Sequence, residues 1–177
     1  AAEASFADSP LILGSWAYQP NVLWTTFDQT QAQNVLATAD LQAPEAVSGT
    51  DDQSTTSTLI SFSIMVVDED PLPALALDIA AQWGQLGFDV SIDRVDRDTF
   101  KNRLESGEFQ SAIVSLPVGA DPDVYRYWHP GQAEDGLNYG GASNDEVAEL
   151  LERGRQDRNG INRTTVYHDF QKRFAEQ

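Results

Sequence analysis

Between residues 71 and 125 the apolar positions switch between helical and strand spacing, and this stretch organises the rest of the chain. Leu72, Leu75, Ile79, Trp83 and Leu86 fall on one stripe of a helix. Asp70 at the N-cap and Pro71 at the first helical position predict its start, because an N–H there would have no intrahelical partner anyway. Gly87 is placed to end it in a left-handed cap. Phe88, Val90 and Ile92 then alternate with Asp89, Ser91 and Asp93, which predicts a strand. Asp98 or Asp96 opens a second helix with Phe100 and Leu104 inward, and Gly107 closes it. Residues 109–116 include Ala112, Ile113 and Val114 in unbroken apolar order, as expected of a strand covered on both faces.

The flanks extend this order. Upstream, Ile60, Phe62, Ile64 and Val66 alternate with Ser61 and Ser63, predicting a strand over 59–67 with one face in a core. Residues 41–57 are rich in Ser, Thr, Asp and Gly and predict a solvated connection. Ala32, Val35, Leu36 and Ala39 are helically spaced behind an N-cap supplied by Asp28 or Thr26. Residues 1–27 read as an irregular arm with a short strand over 11–13.

Downstream, Asp121-Pro122 repeats the cap-plus-proline device ahead of a short helix through Tyr125 and Trp128, which His129-Pro130 ends. GQAEDGLNYGGASN reads as loop, and Asn144 or Ser143 caps DEVAELLERGRQ, with Val147, Leu150 and Leu151 inward. Asn159-Gly160 is a turn before a last helix carrying Val166, Phe170 and Phe174. Helices alternating with strands predict an α/β fold with parallel pairing and right-handed crossovers.

Charge narrows the function. The 177 residues carry 28 acids against 11 bases, a net charge of -17, and no Lys or Arg precedes Arg94. Such a surface repels phosphate backbones and anionic lipid, which argues against nucleic acid and electrostatic membrane docking. With no cysteine, disulfides, a thiolate nucleophile and Cys-based zinc sites are excluded. No apolar run approaches the roughly 20 residues that span a bilayer. The first residues, AAEASFADSP, lack the basic start and apolar stretch of a signal peptide, as a mature or shortened chain would.

The candidate chemistry is sparse. Asp121 and Asp123 have the residue types of a general acid and base, although Asp121 is more simply a helix cap. His129 and His168 lie in different predicted elements, which gives no metal-ligand spacing. Asp68, Glu69 and Asp70 lack calcium-loop spacing and suit a helix start instead. No P-loop, dinucleotide fingerprint or nucleophile elbow occurs. Gly140-Gly141 has no lysine to make a phosphate cradle. The Asn162-Arg163-Thr164 triplet falls inside a predicted helix, a poor glycosylation site.

The surplus is aromatic: Trp16, Tyr18, Trp24, Tyr125, Tyr127, Trp128 and Tyr139. Most are core candidates, yet several sit near predicted strand ends, where open α/β sheets bind ligands. That geometry puts residues 115–121 at the mouth of a site suited to a peptide or sugar.

From Leu75 onward the chain carries IAAQWGQLGFDVSI, DRDTFKNRLESGEFQSAIV, ADPDVYRYWH, LNYGGASNDEVAELLERGR and RTTVYHDFQKRF in that order. This order of motifs resembles the extracellular solute-binding proteins of family 5, the peptide- and nickel-type receptors of ABC importers. Within the motifs Asn138, Ser143, Asn144 and Val147 match an Asn-rich run, and Tyr167 and Gln171 match a Tyr-x-x-x-Gln helix. Two positions depart from the family's pattern. Val118 stands where peptide receptors carry an aspartate for the peptide amino terminus, and Ala148 replaces another aspartate.

The resemblance implies a type II periplasmic-binding-protein-like lobe: a central mixed, mainly parallel sheet flanked by helices. Residues 1–57 would be an irregular crossing segment with one helix, and 58–177 the ligand-binding lobe, one domain within a longer two-lobed receptor. It implies capture of an oligopeptide or similar small solute, ABC transporter permease subunits as partners, the first lobe in the same polypeptide, and an extracytoplasmic, membrane-anchored location. Cofactor, metal, nucleic acid and catalysis are not expected. The implied site comprises Ser115, Leu116, Pro117, Val118, Asp121, Asn138 and Tyr139. The other classes in play are a regulatory ligand sensor with the same lobe and a hydrolase using Asp121 and Asp123.

Overall fold

In the computed structural model, residues 9–20, 22, 27–39, 60–157 and 159–176 are described. The expected connection over 41–57, the boundary at 57/58, Trp24 and Thr26 lie outside them. Strand β1 (Ser61–Val67) is central in a three-stranded sheet of order β2-β1-β3. Both neighbours, β2 (Asp89–Val95) and β3 (Ser111–Ala112), run parallel to it, so the pairing expected of alternating helices and strands is present. Ile64 sits between Ile92 on one side and Ser111 on the other.

Being central buries β1 on both faces. Ile64, Met65 and Val66 are all buried, whereas the alternation of 60–66 predicted a single core face. Alternation reports one face only when the other meets water. Burying each such side chain is worth about 1.5–3 kcal/mol. The strand expected over 109–116 shortens to two residues, extended by Ile113 N–H donating to Met65 O at 3.0 Å.

Helix α1 (Gln29–Thr38) is capped by Asp28, which accepts from Gln31 N–H. Of its expected stripe, Val35 and Ala39 are exposed. Helix α2 (Leu72–Gly84) packs on β1 and β2. Its buried positions are Pro73 and Ala76, with Leu72 and Ile79 packed beside Ala76, while Leu75 faces solvent. Pro71 occupies the N-cap instead of Asp70, because Leu72 N–H is taken by Glu69 O in a turn. Gly87, at φ 92°, ends the helical segment as expected, with Phe88 N–H reaching back to Trp83 O. Asp68 and Glu69, read as partners of this helix start, are paired with Arg94 and Arg97. Helix α3 (Arg97–Ser106) follows its local signals. Asp96 caps it, Phe100 and Leu104 are buried, and Gly107 closes it at φ 72°.

The chain forms two compact units, Phe27–Ser115, which holds this sheet, and Ala1–Thr26 with Leu116–Gln177. In the second, α4 (Tyr125–Trp128), α5 (Asp145–Gln156) and α6 (Gly160–Ala175) surround a core of Val124, Tyr127, Val147, Leu151, Tyr167 and Phe170. A 3₁₀ turn, Pro130–Gln132, opens the long loop after α4. Asn144 and Asn159 cap α5 and α6, so Asn159 starts a helix rather than a separate turn. Gly154 lets α5 meet Tyr167, because a Cβ there would stand 2.9 Å from its ring.

The N-terminal arm supplies Leu11 and Ala17 to this core. The strand expected over 11–13 is absent. Ser15 N–H donates to Ile12 O and Tyr18 N–H to Ser15 O, closing successive turns around Gly14 at φ 85°. The arm is held by Gln171, fully buried, whose amide donates to Ala17 O at 2.9 Å and accepts from Gln19 N–H at 3.2 Å and Ser9 Oγ at 2.9 Å.

Candidate functional site

The segment after β3 contains five of the seven expected site residues. Ser115 is exposed, Leu116 and Val118 are half-buried, and both of those pack against the core of α4–α6. Pro117 is exposed, and its carbonyl accepts from Tyr127 Oη at 2.6 Å, which fixes the loop's path to α4. The loop's side chains from Leu116 to Ala120 are thus all apolar. Its polar groups between those positions are backbone ones.

Asp121 does not cap α4, which has Val124 at its N-cap and no side-chain cap. Its Oδ1 accepts from Asp123 N–H at 3.1 Å, and its two oxygens meet the guanidinium of Arg163 from α6 at 2.7 and 2.8 Å. A planar fork opposite a carboxylate is the strongest ion-pair geometry available to a protein and outcompetes a single cap bond. The hydrogen bonds from Arg163 hold the Asp121 carboxyl below its ordinary range, against the opposing effect of partial burial. Arg163 is itself raised by the same bond and donates through Nε to Gly154 O at 2.7 Å. Burial pushes the Tyr167 hydroxyl up, with Arg163 opposing.

Asp123 is paired in the same way. Its Oδ1 accepts from Tyr125 N–H at 3.2 Å and its Oδ2 meets Arg155 Nε at 3.1 Å. Arg155 lies 4.4 Å over the Tyr125 ring, and Arg163 lies 5.3 Å over Trp16 and 5.4 Å over Tyr167. These are the geometries of anchored ion pairs, and they leave Asp121 unsuited to delivering a proton as a general acid. A cleft of about 470 Å³ opens beside them, lined by Trp16, Arg155, Asp157, Gly160 and Arg163.

Asn138 and Tyr139 belong to the loop ahead of α5. Asn138 is buried, and its amide is satisfied by neighbouring backbone: it donates to His129 O and Ala142 O at 3.2 and 2.8 Å and accepts from Ala142 N–H at 2.9 Å. It is a brace for the loop, and Tyr139 beside it is half-buried. His129 pairs with Glu152 at 3.2 Å and stacks on Tyr125. Among the described residues no group of three or more His, Asp or Glu gathers to hold a metal ion, and no helix is long and apolar enough to cross a membrane.

Sequence reasoning missed Arg155 and Arg163, and counted Trp16 only among a wider aromatic surplus. The bridge from Asp121 to Arg163 spans 42 residues, and nothing in the local pattern marks an arginine on an amphipathic helix as the partner of a distant loop.

No family model matches the sequence, and no curated protein matches it. Solved structures do. The oligopeptide-binding protein AppA from Bacillus subtilis, in complex with a nonapeptide, superposes with a TM-score of 0.82 at 19% identity, over 97% of this chain and 34% of its own. The ABC transporter-associated periplasmic binding protein DppA from Helicobacter pylori, in complex with the peptide STSA, gives 0.76 at 20% identity, over 95% and 31%. NikZ from Campylobacter jejuni, in complex with Ni(L-His), gives 0.72 at 20% identity, over 91% and 32%. The chain has the fold of part of these binding proteins and spans about a third of their length.

Proposed function

We propose that this chain is one lobe of the substrate-binding component of an ABC importer, which captures a peptide-like or other small solute by closing around it. The observation that carries the reading is the fold shared with an oligopeptide-binding protein over 97% of the chain at a TM-score of 0.82. The motif order from Leu75 to Gln171 points the same way. Hinge closure needs no bond chemistry, which agrees with Asp121 and Asp123 being held in ion pairs. The permease subunits of the importer would be its protein partners, and its place would be extracytoplasmic, with the full-length protein anchored at the membrane.

In this reading Ser115, Leu116, Pro117 and Val118 present backbone groups and apolar surface to the solute, with Tyr139 adding a ring face. Asp121 and Asn138 contribute by holding their loops in shape through Arg163 and the backbone of Ala142. The test is a thermal-shift and tryptophan-fluorescence screen of the protein against peptides, oligosaccharides and nickel chelates. A ligand that raises the melting temperature in a dose-dependent way supports the reading. A panel without a single shift removes it.

A further inference from the structure

The loop set against solute by this reading has both of its acids matched by an arginine from α5 or α6, although the whole chain stands at -17. Its two carboxylates are both occupied. Asp121 takes a backbone N–H and the Arg163 fork, and Asp123 takes Tyr125 N–H and Arg155. The two guanidiniums lie against the rings of Trp16, Tyr167 and Tyr125, with Arg163 largely covered and Arg155 half exposed. Two acids and two bases cancel, and Leu116, Pro117, Val118 and Ala120 carry no charge. A free ammonium placed on this surface would lose water without meeting an unshared carboxylate, and an unpaired desolvated charge is costly. An uncharged group would lose little there.

We propose that the part of the solute facing residues 116–123 is uncharged: a capped peptide end or a neutral sugar, and not a free α-ammonium. This rests on the binding-protein reading above and names the chemical class within it.

Calorimetric titration of the protein with matched ligands tests it. The set is one peptide with a free amino end, its N-acetylated twin, and neutral oligosaccharides. The expected result is that the acetylated twin binds at least as tightly as the free amine, or that the oligosaccharide binds and neither peptide does; these two results separate the sources of the neutral group. A free amine that binds tenfold tighter than its twin overturns the proposal and leaves the binding-protein reading standing. Binding by no ligand overturns both.

Arg163→Gln and Arg155→Gln each release a carboxylate. Each should move the acetyl-to-free affinity ratio toward the free amine by about three- to tenfold. Arg155 is the more exposed of the two, so Arg155→Gln carries the test if Arg163→Gln does not fold. An unchanged ratio in a folded variant overturns the proposal.

Discussion

Arg163 closes a two-pronged fork on Asp121, with Nη1 2.8 Å from Oδ2 and Nη2 2.7 Å from Oδ1. The guanidinium is largely covered while the carboxylate is 57% exposed, so solvent screening discounts the pair to about 1 kcal/mol. Because the folded state lowers the Asp121 pKa, the pair's contribution is complete above the ordinary carboxylate value of 3.8 and is lost as pH falls below it. Asp121→Asn should therefore melt about 2–4 °C below the parent at pH 6, with the gap shrinking as pH falls below about 4. Paired melts across pH check this, and a gap that widens in acid would contradict it.

Gln171→Leu removes the amide that joins α6 to the N-terminal arm. The Ala17 carbonyl, Gln19 N–H and Ser9 hydroxyl all lose their buried partner. The expected cost is about 2–3 kcal/mol, because stranded buried polar groups cost more than the bonds they made contributed. Urea midpoints measure the loss. Hydrogen exchange at Gln19 N–H should accelerate with it.

Gly154→Ala sets two effects against each other. Alanine gains about 1 kcal/mol of helix propensity over glycine. Its Cβ would meet Tyr167 Cζ at 2.9 Å, and that ring is fully buried and held by Trp16, Phe170 and Arg163. Overpacking of this kind costs about 1–3 kcal/mol. The clash should win, giving a net loss of about 1 kcal/mol. A stabilised variant would show that Tyr167 yields easily.

Asn138→Ala deletes a brace with three backbone bonds in the loop ahead of α5. A loss of about 2 kcal/mol is expected, since Ala142 loses the partner of its N–H and of its carbonyl, while His129 O keeps the bond from Gln132 N–H. Faster proteolytic cleavage within 133–143 should accompany it. Limited proteolysis followed by mass spectrometry reads both the rate and the site.

Local signals proved the most readable part of the sequence. Asp96, Gly107, Asp28 and Asn144 mark helix ends through bonds to backbone a few residues away, and all four do so in the structure. What local pattern could not carry was partnership at a distance. Asp121 has the look of a cap, and only the fold reveals an arginine 42 residues on that holds it more strongly. The two-sided burial of β1 was hidden because α2 and α3, which pack on it, lie outside the strand's own pattern. At the candidate site, the loop after β3 was legible as a place, but the pairing of both its acids was not.

The core around α6 draws on both ends of the described chain. Leu11 and Ala17 meet Phe170 and Tyr167 only after everything between them has been made, and Gln171 lies 154 residues beyond Ala17. The intervening unit, Phe27–Ser115, is contiguous and holds its own sheet. Synthesis from the N-terminus therefore imposes a sequence of events: the inserted unit completes first, while the arm that precedes it waits without its core. Leu11 and Ala17, made before that unit, reach their core only after residues 116–177 have followed it.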